Sequence, residues 1–218
     1  MTVIPQSYKG SSKRERVEDM FDRIAPKYDL LNKVLSVGID KGWRKKMVAE
    51  LKSLQPKTML DIATGTADVA IACMKLQPNH ITGVDISALM LAEGQKKIEE
   101  LGMAKQITLQ QADSENLPFA DNSFDAITVA FGVRNFQNLD KGLSEMLRVL
   151  KPNGKVVILE FSQPEKFPVK QLYTFYSKYI LPLVGQIVSK ERAAYEYLPE
   201  SVAAFPYGNE FVKIMNSN

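Results

Sequence analysis

The strongest constraint in this sequence is a regular alternation, from residue 56 onward, of short apolar strands with amphipathic helices. Strands are predicted over residues 58–63, 81–86, 107–111, 125–131 and 156–161. Helices are predicted over residues 69–77, 87–101 and 140–150. Strands that alternate with helices are joined by right-handed crossovers and form a parallel sheet covered on both faces. The sequence therefore predicts an α/β fold with a doubly wound, mostly parallel sheet.

The ends of these helices carry local signals. Ser87 is predicted to cap the second of them, Gly102 to end it, and Asp140 to cap the third. Four apolar side chains of the third helix are expected to face the core: Leu143, Met146, Leu147 and Leu150. The Lys-Pro-Asn-Gly run at 151–154 predicts a turn before the last strand.

The first 55 residues follow a different pattern. Residues 1–13 are polar and are predicted to form a mobile arm. A first helix is indicated by Val17, Met20, Phe21 and Ile24 at helical spacing, and Pro26 is expected to end or kink it. Asp40 is predicted to cap a second helix, whose apolar stripe is Trp43, Met47, Leu51 and Leu54. We therefore predict an arm and helical extension over 1–55 and the main domain over 56–218.

Composition excludes several classes of protein. The 218 residues include one cysteine and one histidine, which excludes an internal disulfide framework, a multi-cysteine metal site and the usual histidine-based zinc sites. The net charge of +3 is compatible with an anionic membrane surface but is too small to indicate a nucleic-acid partner. The sequence has neither a long apolar run nor a signal-peptide pattern, so we predict a cytoplasmic location.

The segment after the first predicted strand indicates a nucleotide-like cofactor. Gly65 follows that strand and opens a helix, and Asp85 ends the second strand, where an acid meets ribose hydroxyls. A dinucleotide pyrophosphate needs the three glycines of G-x-G-x-x-G, whereas residues 63–68 read A-T-G-T-A-D. Asp61 and Asp68 flank the loop and suit the cationic end of S-adenosylmethionine. The alternative is that Gly65 makes only a tight turn and Asp85 only caps a helix.

A third acid follows the third predicted strand. Asp113, with Ser114 beside it, falls where a carboxylate can accept a hydrogen bond from the exocyclic amine of an adenine. Taken alone, such an aspartate is more often a turn residue. Three acids at the carboxyl ends of three successive strands favour the cofactor site.

Four stretches resemble the C-methyltransferases of menaquinone and ubiquinone biosynthesis: MFDRIAPKYDLLNKVLSVGIDKGW, LDIATGTADVA, NLPFADNSFDAITVAFGVRN and RVLKPNGKVVILEFSQP. The resemblance covers residues 16–206. It implies the Rossmann-like fold of class I S-adenosylmethionine-dependent methyltransferases, with the helical extension at its amino terminus. Members of that family continue for some tens of residues with two final strands, so these are expected to be missing here and the fifth strand to lie at an edge.

The resemblance implies methyl transfer from S-adenosylmethionine to a ring carbon of a polyprenylated quinol, with no metal. The GTAD form of the loop is more similar to the menaquinone branch, so demethylmenaquinol is the expected acceptor and a ubiquinone-precursor benzoquinol the second. Family cofactor positions correspond to Thr66, Asp85, Asp113 and Ser114. A serine of some members corresponds to Ala130 here, so that contact is absent or made by backbone.

Catalytic roles are expected for Arg134 and Asn135, in the FGVRN run after the fourth strand, and for Tyr28. Arginine stays protonated, so Arg134 is predicted to stabilise a developing phenolate. Asn135 is predicted to orient a ring oxygen, and Tyr28 to complete the hydrogen-bond network. The alternative for Arg134 is a salt bridge to a neighbouring acid. For Tyr28 it is simple packing against the extension.

The aromatic-rich segment 164–205 interrupts the strand–helix rhythm and is predicted to form a helical lid over the carboxyl edge of the sheet. Its aromatics and lysines suit an isoprenoid tail and peripheral contact with the inner face of a membrane. A symmetric homodimer is the default expectation. Two further hypotheses stay open: methyl transfer to another phenolic or lipid acceptor, and cofactor binding without turnover. The single glycine argues against a third, a nicotinamide-dependent oxidoreductase.

Overall fold

The computed structural model of the protein describes residues 3–36, 38–183, 186 and 191–217. Five strands form one sheet: β1 Thr58–Ile62, β2 His80–Asp85, β3 Ile107–Gln111, β4 Phe124–Ala130 and β5 Leu150–Leu159. Their order is β3-β2-β1-β4-β5, and every neighbouring pair is parallel. The order runs outward from β1 in both directions, so the predicted doubly wound sheet is confirmed.

Helices precede, connect and follow the strands. The amino-terminal region contains α1 Lys13–Ile24, a 3-10 turn Ala25–Lys27, α2 Tyr28–Leu35 and α3 Asp40–Glu50. The sheet is wound by α4 Asp68–Cys73, α5 Ala88–Glu100 and α6 Leu139–Val149. After β5 come α7 Val169–Phe175, a π turn Tyr176–Ile180, α8 Arg192–Ala204 and α9 Asn209–Ser217. The helices predicted over 164–205 are therefore present.

Two apolar cores lie on opposite faces of the sheet because successive side chains of a strand point to opposite sides. In β1, Met59 packs with α3, α4 and the end of α5, whereas Leu60 packs with α6. Phe211 and Ile214 of α9 also pack on the α6 face. The sheet is thus covered on both faces, as strand–helix alternation requires.

A third core joins the amino-terminal helices to the segment after β5. Met20, Ile24 and Leu31 pack there with Tyr195 and Tyr197 of α8. The predicted mobile arm contributes to the same core over its described part, so that prediction is wrong. Its Tyr8 is buried, and the Tyr8 hydroxyl donates a hydrogen bond to Glu191 Oε2 at 3.2 Å.

Two predicted helix caps are wrong. Asn138 caps α6, its side chain accepting from the Lys141 N–H at 3.1 Å, and Asp140 lies inside the first turn. Asp40 likewise lies inside the first turn of α3, where it accepts from Ser36 Oγ at 2.6 Å and pairs with Arg44 at 2.7 Å. Ser87 caps α5 as predicted.

The buried face of α6 is rotated from its predicted position. Met146 is buried as expected, but Leu147 is 58% exposed. Gly142 and Val149 complete the buried face instead. A four-residue apolar stripe is wider than the contact that the sheet offers, so one member at its margin stays in solvent.

Residues 151–154 do not form a separate turn but a bulge within β5. Phe124 pairs with Leu150, whereas Ala126 pairs with Lys155, and Asn153 takes a φ of +66° inside the shift. In the sheet that the described residues form, β5 is an edge strand, as predicted.

Candidate functional site

A cavity lies at the carboxyl edge of the sheet, between the loops that follow β1 to β4 and the helices α1 and α2. It contains about 690 Å³ of empty space, counted with its open mouth. Its polar lining consists of Arg14, Tyr28, Asp85, Asp113, Ser114, Glu115, Asn135 and Gln137. Its apolar side chains include Val17, Phe21, Ile62, Val84, Met90, Ala130, Phe131 and Phe136.

The loop after β1 forms the floor of this cavity in a strained conformation. Ala63, Gly65 and Ala67 take φ values of +52°, +55° and +65°. Only glycine adopts such values without steric cost, so the two alanines must be held there by their surroundings. A Cβ on Gly132 would lie 2.5 Å from the Ala63 Cβ, which shows how closely the loop after β4 approaches.

Asp85 holds the loops after β1 and β2 together. Its Oδ2 accepts from the Gly65 N–H at 2.8 Å, and its Oδ1 accepts from the Ser87 N–H at 2.9 Å. Burial raises the pKa of Asp85 above its ordinary value, while these N–H donors lower it. The Ile86 N–H also donates to this carboxylate. A carboxylate has about four acceptor positions, so one is left for a ligand in the cavity.

Asp113 and Ser114 also line the cavity, as their predicted cofactor role requires. Asp113 Oδ1 accepts from the Glu115 N–H at 2.9 Å, which shapes the turn after β3. Its other oxygen lies 3.1 Å from Arg14 Nη1 of α1. This ion pair connects the first helix to the body of the domain beside the cavity.

The structure places Asp61 and Thr66 under the loop rather than in the cavity. Asp61 is buried and accepts from Thr64 Oγ1 and Thr128 Oγ1, both at 2.6 Å. Burial raises the pKa of Asp61 to about 6, against the effect of these two hydroxyls. Thr66 is buried and donates to Asp29 Oδ1 at 2.6 Å. Both side chains support the loop from behind.

Two aspartates of the amino-terminal helices accept hydrogen bonds from the loops after β1 and β2. Asp22 of α1 accepts from Ser87 Oγ at 2.6 Å. Asp29 of α2, besides accepting from Thr66, pairs with Lys97 of α5 at 2.5 Å. These contacts place Phe21 and Tyr28 against the cavity, so α1 and α2 form one of its walls.

Arg134 lies in a buried ion pair, the arrangement named as the alternative to a catalytic role. Its side chain is 7% exposed, and its Nη1 lies 2.8 Å from Glu160 Oε1 and also donates to the Phe131 carbonyl. Its Nε is buried without a hydrogen-bond partner. Arg134 does not line the main cavity but lines a second one, together with Lys13.

Asn135 and Tyr28 do reach the main cavity. Asn135 Oδ1 accepts from the Tyr197 hydroxyl of α8 at 3.1 Å. Burial raises the pKa of Tyr28 and raises that of Tyr197 to about 12, whereas the nearby Arg134 charge lowers both. The Arg134 charge also lowers the pKa of Tyr173 against the effect of burial. The Arg134 charge therefore offsets part of the burial effect on the pKa of three tyrosines.

The lining of the main cavity is acidic. It carries the carboxyl groups of Asp85, Asp113 and Glu115. Among the described residues that line it, Arg14 is the one cationic side chain, and it pairs with Asp113. Such a lining suits a cationic ligand and disfavours a pyrophosphate.

Comparison with known proteins gives this site its context. The sequence matches the family described as ubiE/COQ5 methyltransferase over residues 9–218. The chain belongs to this family. A demethylmenaquinone methyltransferase of Bacteroides fragilis is 50% identical over 98% of this chain and 87% of the relative. A ubiquinone/menaquinone biosynthesis C-methyltransferase of Geotalea daltonii is 47% identical, over 95% of this chain and 89% of that relative.

The same fold is found in crystal structures at 20% sequence identity. The [4+2]-cyclase SpnF has a TM-score of 0.59, covering 88% of this chain and 82% of its own. A candidate S-adenosyl-L-methionine-dependent methyltransferase of Methanococcus maripaludis has a TM-score of 0.60, covering 87% and 90%. These likenesses concern the fold alone. With the family match, they confirm the predicted class I methyltransferase fold.

Sequence reasoning missed several residues of the site. Arg14, Val17 and Phe21 line the cavity from α1, and Glu160 pairs with Arg134. Val17 and Phe21 belong to the predicted apolar face of the first helix. Their helical spacing predicts only that they pack against another part of the protein. Which surface buries them depends on how α1 docks.

Asp61 predicts a pH dependence of stability. Because its pKa is about 6 in the folded protein against an ordinary 3.8, the folded state binds this proton more tightly than the unfolded chain. The stabilisation is complete below about pH 4 and is lost as the pH rises through about 6, an effect of about 3 kcal/mol. We expect the free energy of unfolding of Asp61→Asn, relative to wild type, to improve by about that amount over this range. Urea titrations across pH measure it; a constant difference would contradict the assignment.

Proposed function

We propose that the protein transfers a methyl group from S-adenosylmethionine to a ring carbon of a polyprenylated quinol, with demethylmenaquinol as the first acceptor and a ubiquinone-precursor benzoquinol as the second. The observation that carries the proposal is the acidic cavity at the carboxyl edge, beside the buried Arg134–Glu160 ion pair. The names of the Bacteroides fragilis and Geotalea daltonii relatives support the choice of acceptor.

The residues of the cavity fit this cofactor. When bound, S-adenosylmethionine supplies an electrophilic methyl group on a cationic sulfonium. The remaining acceptor position of Asp85 is available to a ribose hydroxyl, and Asp113 with Ser114 is available to the adenine. The acidic lining favours the positive charge of the methionine end. Asp61 and Thr66 act indirectly, by holding Gly65 and the loop backbone in place.

Arg134 acts on the acceptor through its charge. Burial raises the pKa of Tyr28, Tyr173 and Tyr197 on balance, and the Arg134 charge offsets part of that rise. A phenolate formed from a quinol in this region would be stabilised by the same charge relative to the same site without Arg134, and its ring carbon would be nucleophilic. The methyl group would pass to this carbon from bound S-adenosylmethionine, which leaves as the neutral thioether. The ring carbon would give up its hydrogen as a proton while the oxygen regains one, so that one proton in total passes to solvent. Asn135 orients a ring oxygen, and Tyr28 completes the hydrogen-bond network.

The two helical regions enclose the reaction. We assign residues 1–55 and the helices of 164–205 to the walls and lid of the site, with α1, α2 and α8 contributing Phe21, Tyr28 and Tyr197. Excluding water protects the methyl donor and strengthens electrostatic interactions inside. The proposal includes a cytoplasmic location with peripheral contact at the membrane that holds the quinol.

The decisive assay uses labelled S-adenosylmethionine and a reduced, short-tailed demethylmenaquinol in detergent. We expect a product heavier by one methyl group on a ring carbon, identified by mass spectrometry. Other phenols and a benzoquinol serve as competing acceptors. Transfer to another phenol alone would make this a methyltransferase of different specificity. Cofactor binding without any product would make it a binding protein.

Asp85→Asn tests the cofactor site. Loss of a charged acceptor for ribose hydroxyls should weaken S-adenosylmethionine binding by about 10- to 100-fold. Isothermal titration calorimetry measures this, with thermal melting to verify the fold. Asp121→Asn is the control because Asp121 pairs with Arg148 away from the cavity. Equal S-adenosylmethionine affinities in the two variants would show that Asp85 does not contribute to cofactor binding.

Arg134→Ala tests the acceptor site. We expect kcat to fall by about 10²- to 10³-fold, because a charge that stabilises the phenolate is lost, while cofactor affinity is retained. The substitution also leaves Glu160 buried and unpaired, at a cost of about 3–5 kcal/mol. The double variant Arg134→Ala/Glu160→Gln removes that stability penalty and should stay equally slow. A double variant as fast as wild type would refute the role.

A further inference from the structure

The segment from Lys166 to Leu183 presents apolar side chains to solvent. Phe167 is 81% exposed, Leu172 65% and Phe175 57%, and no residue of α7 is buried. From residue 172 onward the exposed side chains Leu172, Phe175, Tyr179 and Leu183 recur every three or four residues. This spacing places them on one side of the helical segment. We call this surface, with Phe167, the α7 face.

The neighbouring helix α2 also exposes apolar side chains. The Tyr176 hydroxyl, from the inner side of the same segment, donates to the Leu35 carbonyl at 2.9 Å. Leu30 and Val34, also on α2, are both about half exposed. Single exposed apolar side chains are common on proteins, whereas large contiguous apolar patches usually mark a binding site.

The charges within the segment itself have one sign, although exposed Glu165 directly precedes it. Lys166, Lys170 and Lys178 are exposed, and the sequence from 166 to 183 contains no aspartate or glutamate. A second copy of the chain docked through the same face would set lysine against lysine across a two-fold axis. Apolar side chains framed by lysines complement anionic lipid headgroups over an acyl interior.

The inner side of this segment lies near the acceptor end of the site. Tyr176 and Leu181, on the inner side of the segment, pack in one core with Tyr28 and Tyr197. The segment therefore separates the α7 face from the region proposed to hold the quinol ring. A lipid-borne acceptor would have a short path from a surface on one side to the ring site on the other.

We propose that the α7 face docks the protein on anionic lipid bilayers, inserting its apolar side chains between headgroups that its lysines contact. Among the described helices, none has the length and apolarity to cross a bilayer. The attachment is therefore peripheral and depends on lipid charge. Its role in delivering a tailed quinol rests on the function proposed above, whereas binding to lipid does not.

The test compares two double variants in vesicle sedimentation. Leu172→Glu/Phe175→Glu changes the α7 face, and Leu101→Glu/Leu147→Glu changes two leucines that are 51% and 58% exposed elsewhere. The vesicles contain phosphatidylcholine alone or with one third phosphatidylglycerol. Wild type and control should bind the anionic vesicles, and the α7 variant should bind at least about tenfold more weakly. All three should bind weakly to neutral vesicles, and melting temperatures verify folding.

The proposal is overturned if the wild-type protein does not sediment with anionic vesicles, or if the α7 variant binds them as tightly as wild type does. It is also overturned if the control loses as much binding. A dimer that the α7 variant abolishes, with no vesicle binding, would identify a second copy as the occupant instead.

Measuring methyl-transfer rates in detergent and on vesicles distinguishes a failure of membrane docking from a failure of the proposed function. Leu172 and Phe175 point to solvent and do not line the cavity proposed to hold the cofactor and the acceptor ring. The α7 variant should therefore act normally on a short-tailed acceptor in detergent and at least about tenfold more slowly on a long-tailed acceptor in anionic vesicles. Equal rates for variant and wild type on vesicles would refute the delivery role. No transfer by wild type in either assay would refute the proposed function and leave vesicle binding to be judged on its own.

Discussion

The site depends on two carboxylates that hold a strained backbone loop. Asp85 accepts the Gly65 N–H, and Asp61 accepts the hydroxyls of Thr64 and Thr128 behind the same loop. These bonds help to hold Ala63 and Ala67 at positive φ values that alanine rarely adopts. Burial of both acids raises their pKa values, so the fold accepts an electrostatic cost at the place where a ligand would meet the loop.

The amino-terminal helices complete the cavity whose floor is formed by the loops after the strands. Asp22 and Asp29 reach the loops after β2 and β1, and the Arg14–Asp113 pair reaches the loop after β3. A parallel sheet leaves its carboxyl edge open, and these contacts convert that edge into a cavity walled by helices. The α7 face lies on the solvent side of the segment after β5, whose inner side packs with Tyr28 and Tyr197.

Most of the fold was predictable because the strands are short, apolar and regularly separated by amphipathic helices. The five strands lie within a few residues of their predicted positions, apart from β5, which begins at Leu150 because the 151–154 run is absorbed as a bulge. The helix caps were less predictable. Asn138 and Asp140 are both good capping residues, and only the backbone decides which of them lies at the end of α6.

The candidate site was predictable in part. Gly65, Asp85, Asp113, Ser114, Asn135 and Tyr28 all line the cavity, because the carboxyl ends of parallel strands meet at one edge. Their functional roles remain predictions. Asp61, Thr66 and Arg134 lie outside the cavity, each bound to a partner from another part of the chain.

The order of elements, the doubly wound sheet, the position of the loop after β1 and the family could all be read from the sequence. Those properties depend on local periodicity and on short runs of neighbouring residues. Three contacts could be seen only in the folded chain: Glu160 pairs with Arg134, Asp29 accepts from Thr66, and α1 forms a wall of the cavity. Such contacts join residues far apart in the chain, and the choice among several available partners depends on how the helices dock rather than on any local pattern.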